Sequence, residues 1–320
     1  MLKVGIVGLG EMGKNHLRVL KDLRGVSVVG VVDPVEKNID IQMSIEKLIS
    51  LNPDYCVISV PTKFHLDVTL QLIEAGIHFL IEKPMSIDSM SATTIISESE
   101  RCNVKGAVGY IERSNSAMIK AKDLLNQDFL GKVIQISTRR RGPNPMRIKD
   151  VGVLKDLATH DFDSIIWLTE MKFKSIYASS YSKDINGNED LISCVGKLEG
   201  MINATCNVDW ITPTKIREVH ILGENGALQI DTLNSDLIHF NSAEITSTDR
   251  FISHLRGRAQ GDITNIAFPK REALFTEHEN FRDYINGESV EIATLREALQ
   301  VIKVAEAATL SCAENKLVYL

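Results

Sequence analysis

At 320 residues the chain is long enough for two domains, because single cores stop growing near roughly 250–300 residues. With 24% charged residues, a formal net charge of -6 and an isoelectric point of 5.8, it lacks the positive excess that general binding to nucleic acid or acidic membranes requires. No apolar run reaches the ~18 residues of a membrane span, and the first strand starts at the N-terminus with no room for a signal peptide, so a cytoplasmic protein is expected.

Residues 3–8, KVGIVG, are an apolar run that feeds into Gly8-Leu9-Gly10-Glu11-Met12-Gly13 and then into the helical pattern KNHLRVLKDL. Strand, Gly-x-Gly-x-x-Gly and helix in that order form the start of a dinucleotide-binding unit: the glycines give the turn, the close approach to a pyrophosphate and the tight helix packing. Glu11, Met12 and Gly13 open the helix whose N-terminus would hold the diphosphate. A second strand, Val28–Val32, ends in Asp33, where an acid roughly 20 residues on can accept from both ribose hydroxyls and repel a 2′-phosphate. NAD is therefore expected over NADP. Only a short segment follows Asp33 before a helix at Ser44–Ser50, which leaves the wall around an adenine open.

Strands at Tyr55–Val60, His78–Ile81 and Val104–Val108 alternate with helices at His65–Ala75 and Ser86–Cys102. The alternation predicts an α/β doubly wound parallel sheet, whose ligands bind beyond the carboxyl ends of the strands. That edge holds the glycines, Pro61, Thr62, His65, Glu82 and Lys83. After about residue 115 the pattern changes to helices at Ser116–Asn126 and 154–168 and to strands near Val133–Thr138, Ser175–Ser180, Leu191–Lys197, Met201–Val208, Val219–Leu222, Ala227–Ile230 and Leu237–Phe240. Asn225-Gly226 marks a hairpin. Amphipathic helices at Glu277–Asn286 and Leu295–Ser311 close the chain. The division expected is 1–115 for the dinucleotide and 116–320 for an α+β domain on an open, mostly antiparallel sheet, one face of which a partner subunit could cover.

Glu82-Lys83-Pro84 is either a solvated turn or a device for holding an amine in one direction, since proline restricts the residue before it. A fixed ammonium there stabilises charge growing on a substrate oxygen. In Asp156-Leu157-Ala158-Thr159-His160-Asp161-Phe162-Asp163, helical spacing puts Asp156 and His160 one turn apart on one face, a carboxylate beside a candidate base. The alternatives are an acidic helix start with a surface histidine and, more weakly, a metal held by His160, Asp161 and Asp163; no metal is expected. Arg139-Arg140-Arg141, with Arg147 and Lys149 after it, reads as a solvated loop or as one that grips an anionic part of the substrate. The five cysteines, Cys56, Cys102, Cys194, Cys206 and Cys312, are odd in number and show no C-x-x-C spacing, as expected of small buried hydrophobes in a reducing compartment.

Over nearly its full length the chain resembles the Gfo/Idh/MocA oxidoreductases, through GLGEMG, EKP and DLATHDFD in that order. The resemblance implies a Rossmann domain followed by an α/β domain, NAD(P), hydride transfer at a hydroxyl carbon of a sugar or polyol, and dimers or tetramers through the open sheet. It places catalytic roles on Lys83, Asp156 and His160, and it matches Tyr110 and Arg113 in GYIERSN. The segments RRRGPNPMRIKDVGVLKDLATHDFD and NVDWITPTKIREVHILGENGALQID look like the nucleotide-sugar branch, the UDP-N-acetylglucosamine 3-dehydrogenases. On that basis Tyr110, Arg140, Arg141, Asp156, His160 and Trp210 are the expected contacts of a sugar or UDP-sugar. A free sugar or an inositol-like polyol is the alternative substrate, and a non-catalytic dinucleotide-binding regulator is the alternative class.

Overall fold

The computed structural model describes residues 1–35, 41–144, 151–184, 187–242 and 260–320. By contact the chain divides into two compact units, Met1–Ser114 with Arg271–Lys303, and Asn115–Lys270 with Val304–Leu320. A late segment thus rejoins the first unit.

The first unit is built on β1 (Leu2–Val7), β2 (Val26–Val32), β3 (Tyr55–Ile58), β4 (His78–Glu82) and β5 (Gly106–Gly109), all parallel, in the spatial order β2-β1-β3-β4-β5. A short antiparallel strand, Ala293–Thr294, pairs with β5 and closes the edge. Every residue of β3 and β5 and the last four of β1 are buried, the near-continuous burial expected of a parallel sheet covered on both faces. The helices here are α1 (Glu11–Asp22), α2 (Ile45–Ser50), α3 (His65–Glu74), α4 (Ser89–Arg101) and, from the returning segment, α7 (Ala273–Ile285). The core joins Val4, Ile6, Val57 and Leu80 of the strands to Leu17 and Leu20 of α1 and Phe281 of α7. Phe281 meets Tyr55 edge to face, with centroids 5.1 Å apart.

Strand order reverses between β1 and β3: the chain leaves β1 for β2 on one side and then crosses to β3 on the other. The loops after β1 and β3 splay apart there, which makes the crevice in which such sheets bind ligands.

The second unit carries β6 (Val133–Arg141), β7 (Phe173–Tyr181), β8 (Leu191–Leu198), β9 (Asn203–Asp209), β10 (Ile216–Gly223), β11 (Gly226–Asp231), β12 (Asp236–Ser242) and β13 (Gln260–Asn265). Their order is β13-β12-β11-β10-β6-β9-β8-β7, with Val318–Tyr319 added beyond β7. Only β6 and β9 run parallel; the other pairs are antiparallel. In β8 the residues Ile192, Cys194 and Leu198 are buried, while Ser193, Val195 and Lys197 are exposed, so one face of the sheet packs on the core and the other is open. The predicted β10–β11 hairpin forms around Glu224-Asn225. Gly226 already belongs to β11, at φ 141°, because a side chain there would run into the Phe240 carbonyl of β12. The unit's helices are α5 (Ser116–Asn126) and α6 (Thr159–Thr169), and α8 (Leu295–Glu314) is divided between the units at Lys303 and Val304.

Candidate active site

In the first unit the glycine loop follows β1 and leads into α1. Gly8 has φ 95°, and a Cβ there would fall 2.6 Å from the backbone of Ser59 and Val60; at Gly13 it would fall 2.2 Å from the Gly8 carbonyl. Both glycines are thus fixed by the protein's own packing. A Cβ on Gly10 meets nothing within 4 Å, so that glycine answers to no contact inside the unit. This is the arrangement a pyrophosphate needs: backbone open to close approach, next to the start of α1, which has no side-chain cap. Leu9 and Gly13 are buried here, Met12 is half-buried and Glu11 is exposed.

Asp33, at the end of β2, accepts the Leu9 N–H at 2.6 Å through one carboxylate oxygen and the Val35 N–H at 2.8 Å through the other. These bonds brace the glycine loop against the end of β2, the place where an acid meets the ribose hydroxyls of a dinucleotide. The donors and the open glycine therefore fit a dinucleotide.

After β3, Pro61 is exposed and Thr62 begins a tight 3₁₀ turn, Thr62–Phe64. His65, expected beside the cofactor, is instead buried, with Nδ1 3.0 Å from the Pro84 carbonyl and Nε2 2.9 Å from the Val60 carbonyl. It sits between the loop after β3 and the loop after β4, and as a neutral ring it has one N–H to give to one of the two carbonyls. Burial holds its pKa below the ordinary histidine value against the pull of those two carbonyls.

Glu82 ends β4. Its Oε2 accepts the Lys83 N–H at 3.2 Å, and its Oε1 lies 2.9 Å from His16 Nε2 on α1. His16 Nδ1 in turn lies 2.9 Å from His278 Nε2 on α7. Burial pushes the Glu82 carboxyl up, but above all the His16 hydrogen bond, with the Lys83 charge and the Lys83 N–H, brings it below the usual carboxylate value. The Lys83–Pro84 peptide is cis. Tyr110, after β5, is buried, and its carbonyl accepts the Arg113 N–H. Arg113 is also buried and donates to Glu297 of α8 at 2.9 Å.

In the second unit, the predicted helix 154–168 begins as a π-helical turn, Leu154–Ala158, before continuing as α6. Its start is capped from outside: Glu189 accepts the Val153 N–H through its carbonyl and the Leu154 N–H through its carboxylate. The wide turn carries Asp156, and the first turn of α6 carries His160; both are half-buried. Turns of this kind recur at functional sites because they re-aim side chains without ending the helix. Asp161 and Asp163 are fully buried, away from solvent. Among the described residues no group of three or more His, Cys, Asp or Glu has a metal-holding arrangement.

The arginine run is corrected by the structure. Arg139, Arg140 and Arg141 are not in a loop; they complete β6, paired with β10 on one side and β9 on the other. The ladder extends because acids neutralise the charges. Arg139 pairs with Glu218 across to β10, and Arg141 Nε lies 3.5 Å from Asp209 on β9. Arg140 points to the buried face, where its Nε donates to Asp161 of α6 at 2.6 Å. Arg140, expected on the substrate, is thus committed to locking α6 onto the sheet. Arg147 and Lys149 lie outside the described residues. Trp210 is buried, and the Asp209 carboxylate beside it accepts the N–H groups of Ile211 and Thr212.

The sequence reading missed His16, His278, Glu189 and Glu297. Each joins segments far apart in the chain, so no local spacing signals the pairing.

Comparison with known proteins matches the chain to two family models. The model of the oxidoreductase family with an NAD-binding Rossmann fold matches residues 2–110, and the model of that family's C-terminal alpha/beta domain matches residues 122–320. The chain is 24% identical over 299 residues to UDP-N-acetylglucosamine 3-dehydrogenase of Acidithiobacillus ferrooxidans, covering 89% of this chain and 88% of the other. A solved structure of that organism's UDP-N-acetylglucosamine 3-dehydrogenase shares the fold at a TM-score of 0.83 and 22% identity, covering 97% of each chain. Inositol 2-dehydrogenase of Corynebacterium glutamicum is 26% identical over 227 residues, covering 65% of this chain and 67% of the other. The open glycine beside α1, the acid ending β2 and the two matched domains lead to one conclusion: the chain belongs to the Gfo/Idh/MocA family of NAD-binding oxidoreductases.

Proposed function

We propose that the protein is an NAD-dependent dehydrogenase that passes hydride between nicotinamide and a hydroxyl carbon of a sugar, with C3 of a UDP-linked N-acetylhexosamine as the leading substrate. The reading is supported by two features, one in each unit: Asp156 on a π-helical turn that runs into α6 with His160 in its first turn, and a dinucleotide unit whose Gly10 is open to a ligand. When bound, NAD accepts the hydride. His160 takes the hydroxyl proton, Asp156 orients the imidazole, and Lys83 stabilises charge developing on the oxygen. Glu82 and Lys83, with Pro61 and Thr62, line the nicotinamide side; Gly8, Gly10, Glu11, Met12, Gly13 and Asp33 hold the rest of the dinucleotide. Tyr110, Arg141 and Trp210 are the proposed sugar contacts.

The A. ferrooxidans relative supports the nucleotide-sugar substrate, since it aligns over most of both chains. One observation favours the second reading, a free sugar or polyol: all three arginines of β6 already face acids, so none is reserved for a diphosphate. We also propose a homodimer or homotetramer through the open sheet, where Tyr177, Val195 and Leu222 are exposed.

The test is absorbance at the reduced-nicotinamide band with NAD and a panel of UDP-N-acetylglucosamine, UDP-N-acetylgalactosamine, free hexoses and myo-inositol. Turnover with UDP sugars alone supports the leading substrate; turnover with myo-inositol alone replaces it. His160→Ala and Lys83→Ala should each lower kcat by roughly 10²–10⁴ while NAD still binds. Full activity in both variants would overturn the assigned roles.

A further inference from the structure

Four ionisable side chains lie together inside the first unit, behind Lys83. Glu82, from β4, meets His16 of α1; His16 meets His278 of α7; and Glu277, next to His278 and also buried, faces the charge of Glu82. The two imidazoles cross edge to face, 5.0 Å apart. Replacing buried charged groups by apolar residues of similar volume is often neutral or stabilising. A function in orientation explains the cluster better than stability does.

The chemistry gives the chain of contacts a direction. The Glu82 carboxylate only accepts, so His16 must present Nε2–H to it. With that hydrogen on Nε2, a neutral His16 offers Nδ1 as an acceptor, and His278 supplies Nε2–H. The chain ends at His278 Nδ1, which is buried and makes no hydrogen bond among the described residues. A bare acceptor is tolerated in an interior better than a bare N–H, and this favours the same direction. Burial holds His278 well below the ordinary histidine value, which keeps it neutral.

At the other end, Glu82 Oε2 takes the backbone N–H of Lys83. The carboxylate is pinned at both oxygens and cannot rotate without breaking a bond. Beyond Lys83, the Pro84 carbonyl lies 3.0 Å from His65 Nδ1. We propose that His278 is a positioning residue for Lys83, acting through His16 and Glu82 from a helix that arrives some 200 residues later in the chain. The inference rests on the reading of Lys83 as the group that meets the reacting oxygen; the local order it predicts at Lys83 can be measured without any turnover.

The experiment uses the full-length protein and the variants His278→Leu and His278→Gln, the latter keeping a donor toward His16. Amide hydrogen exchange is followed at Lys83, with Val57 in central strand β3 as internal reference. His278→Leu should speed exchange at Lys83 roughly tenfold while Val57 keeps its protection, and His278→Gln should restore it. On the best sugar of the panel, kcat should fall on the order of 10–100-fold in His278→Leu with KM for NAD unchanged. Unaltered exchange at Lys83, or loss of protection in step with Val57, overturns the proposal. Should the leucine variant not fold, the ¹⁵N-histidine spectrum of the unaltered protein decides: Nε2–H on both rings supports the chain, and a bare Nε2 on His16 overturns it. If no sugar is turned over, the proposed function fails, while the exchange result still judges His278.

Discussion

Arg140 shows how far a side chain's role depends on its partner. From the sequence it is one of three exposed cations waiting for an anion; in the fold its guanidinium is buried against Asp161, the neighbour of His160. Removing one member of a buried pair leaves the other charge uncompensated, so Arg140→Leu should lose about 3–5 kcal/mol of stability by denaturant unfolding. Arg140→Leu combined with Asp161→Leu should recover most of that loss. A solvated arginine would change stability by only about 0.5 kcal/mol, so a small effect would contradict the buried pair. Cys206 belongs to the same cluster, its Sγ 3.8 Å from Asp161, and burial raises its thiol well above the usual value. A buried thiol of this kind packs rather than attacks.

At the level of elements, the glycine loop separates two demands that the motif G-x-G-x-x-G runs together. Gly13 is needed by the fold, since a methyl group there collides with the Gly8 carbonyl; Gly10 is needed by no neighbour among the described residues. Gly13→Ala should therefore lower Tm markedly. Gly10→Ala should leave Tm within about a degree yet weaken NAD at least tenfold by titration, because the added methyl occupies the diphosphate's approach. Equal loss of stability in both variants would remove the distinction. Elements with strong local signals were legible from sequence: β1 into the glycines, the strand–helix alternation, and the helix that carries Asp156 and His160. The end of β6 was misread because three consecutive arginines look like a loop until the acids opposite them are known. Buried pairs between distant segments had only a partial signal. On α1 the buried face reads Gly13, His16, Leu17 and Leu20, and on α7 it reads Leu274, Glu277, His278 and Phe281. Ionisable residues on an apolar stripe could have been flagged, but nothing in the spacing says that the two stripes meet.

Taken as a whole, the molecule buries titratable groups whose preferences oppose one another as pH changes. His65 and His278 have depressed values, so the unfolded chain binds their protons near pH 6.5 while the native state refuses them; their contribution is complete above 6.5 and is lost as pH falls below it. Glu277 is raised, by burial first and then by the Glu82 charge, so the native state prefers it protonated. Its contribution is complete below 4.5 and is lost as pH rises. Two histidines outweigh one carboxyl, and stability should decline between pH 6.5 and 5, each uncompensated proton tilting it by about 1.4 kcal/mol per pH unit. Glu277→Gln should raise Tm at pH 8 and steepen the acid-side decline; a variant curve parallel to the parent's would contradict the buried, protonated carboxyl.

The return of Arg271–Lys303 to the first unit sets an order of events during biosynthesis. The dinucleotide sheet is translated first, yet Tyr55 lacks Phe281, Arg113 lacks Glu297, and β5 lacks its edge partner until most of the chain has left the ribosome. Domains usually fold as they emerge. Here the nascent Rossmann half carries an unfinished edge and an uncovered aromatic through the synthesis of β6 to β13, so the part of the chain translated first waits for a segment translated near the end.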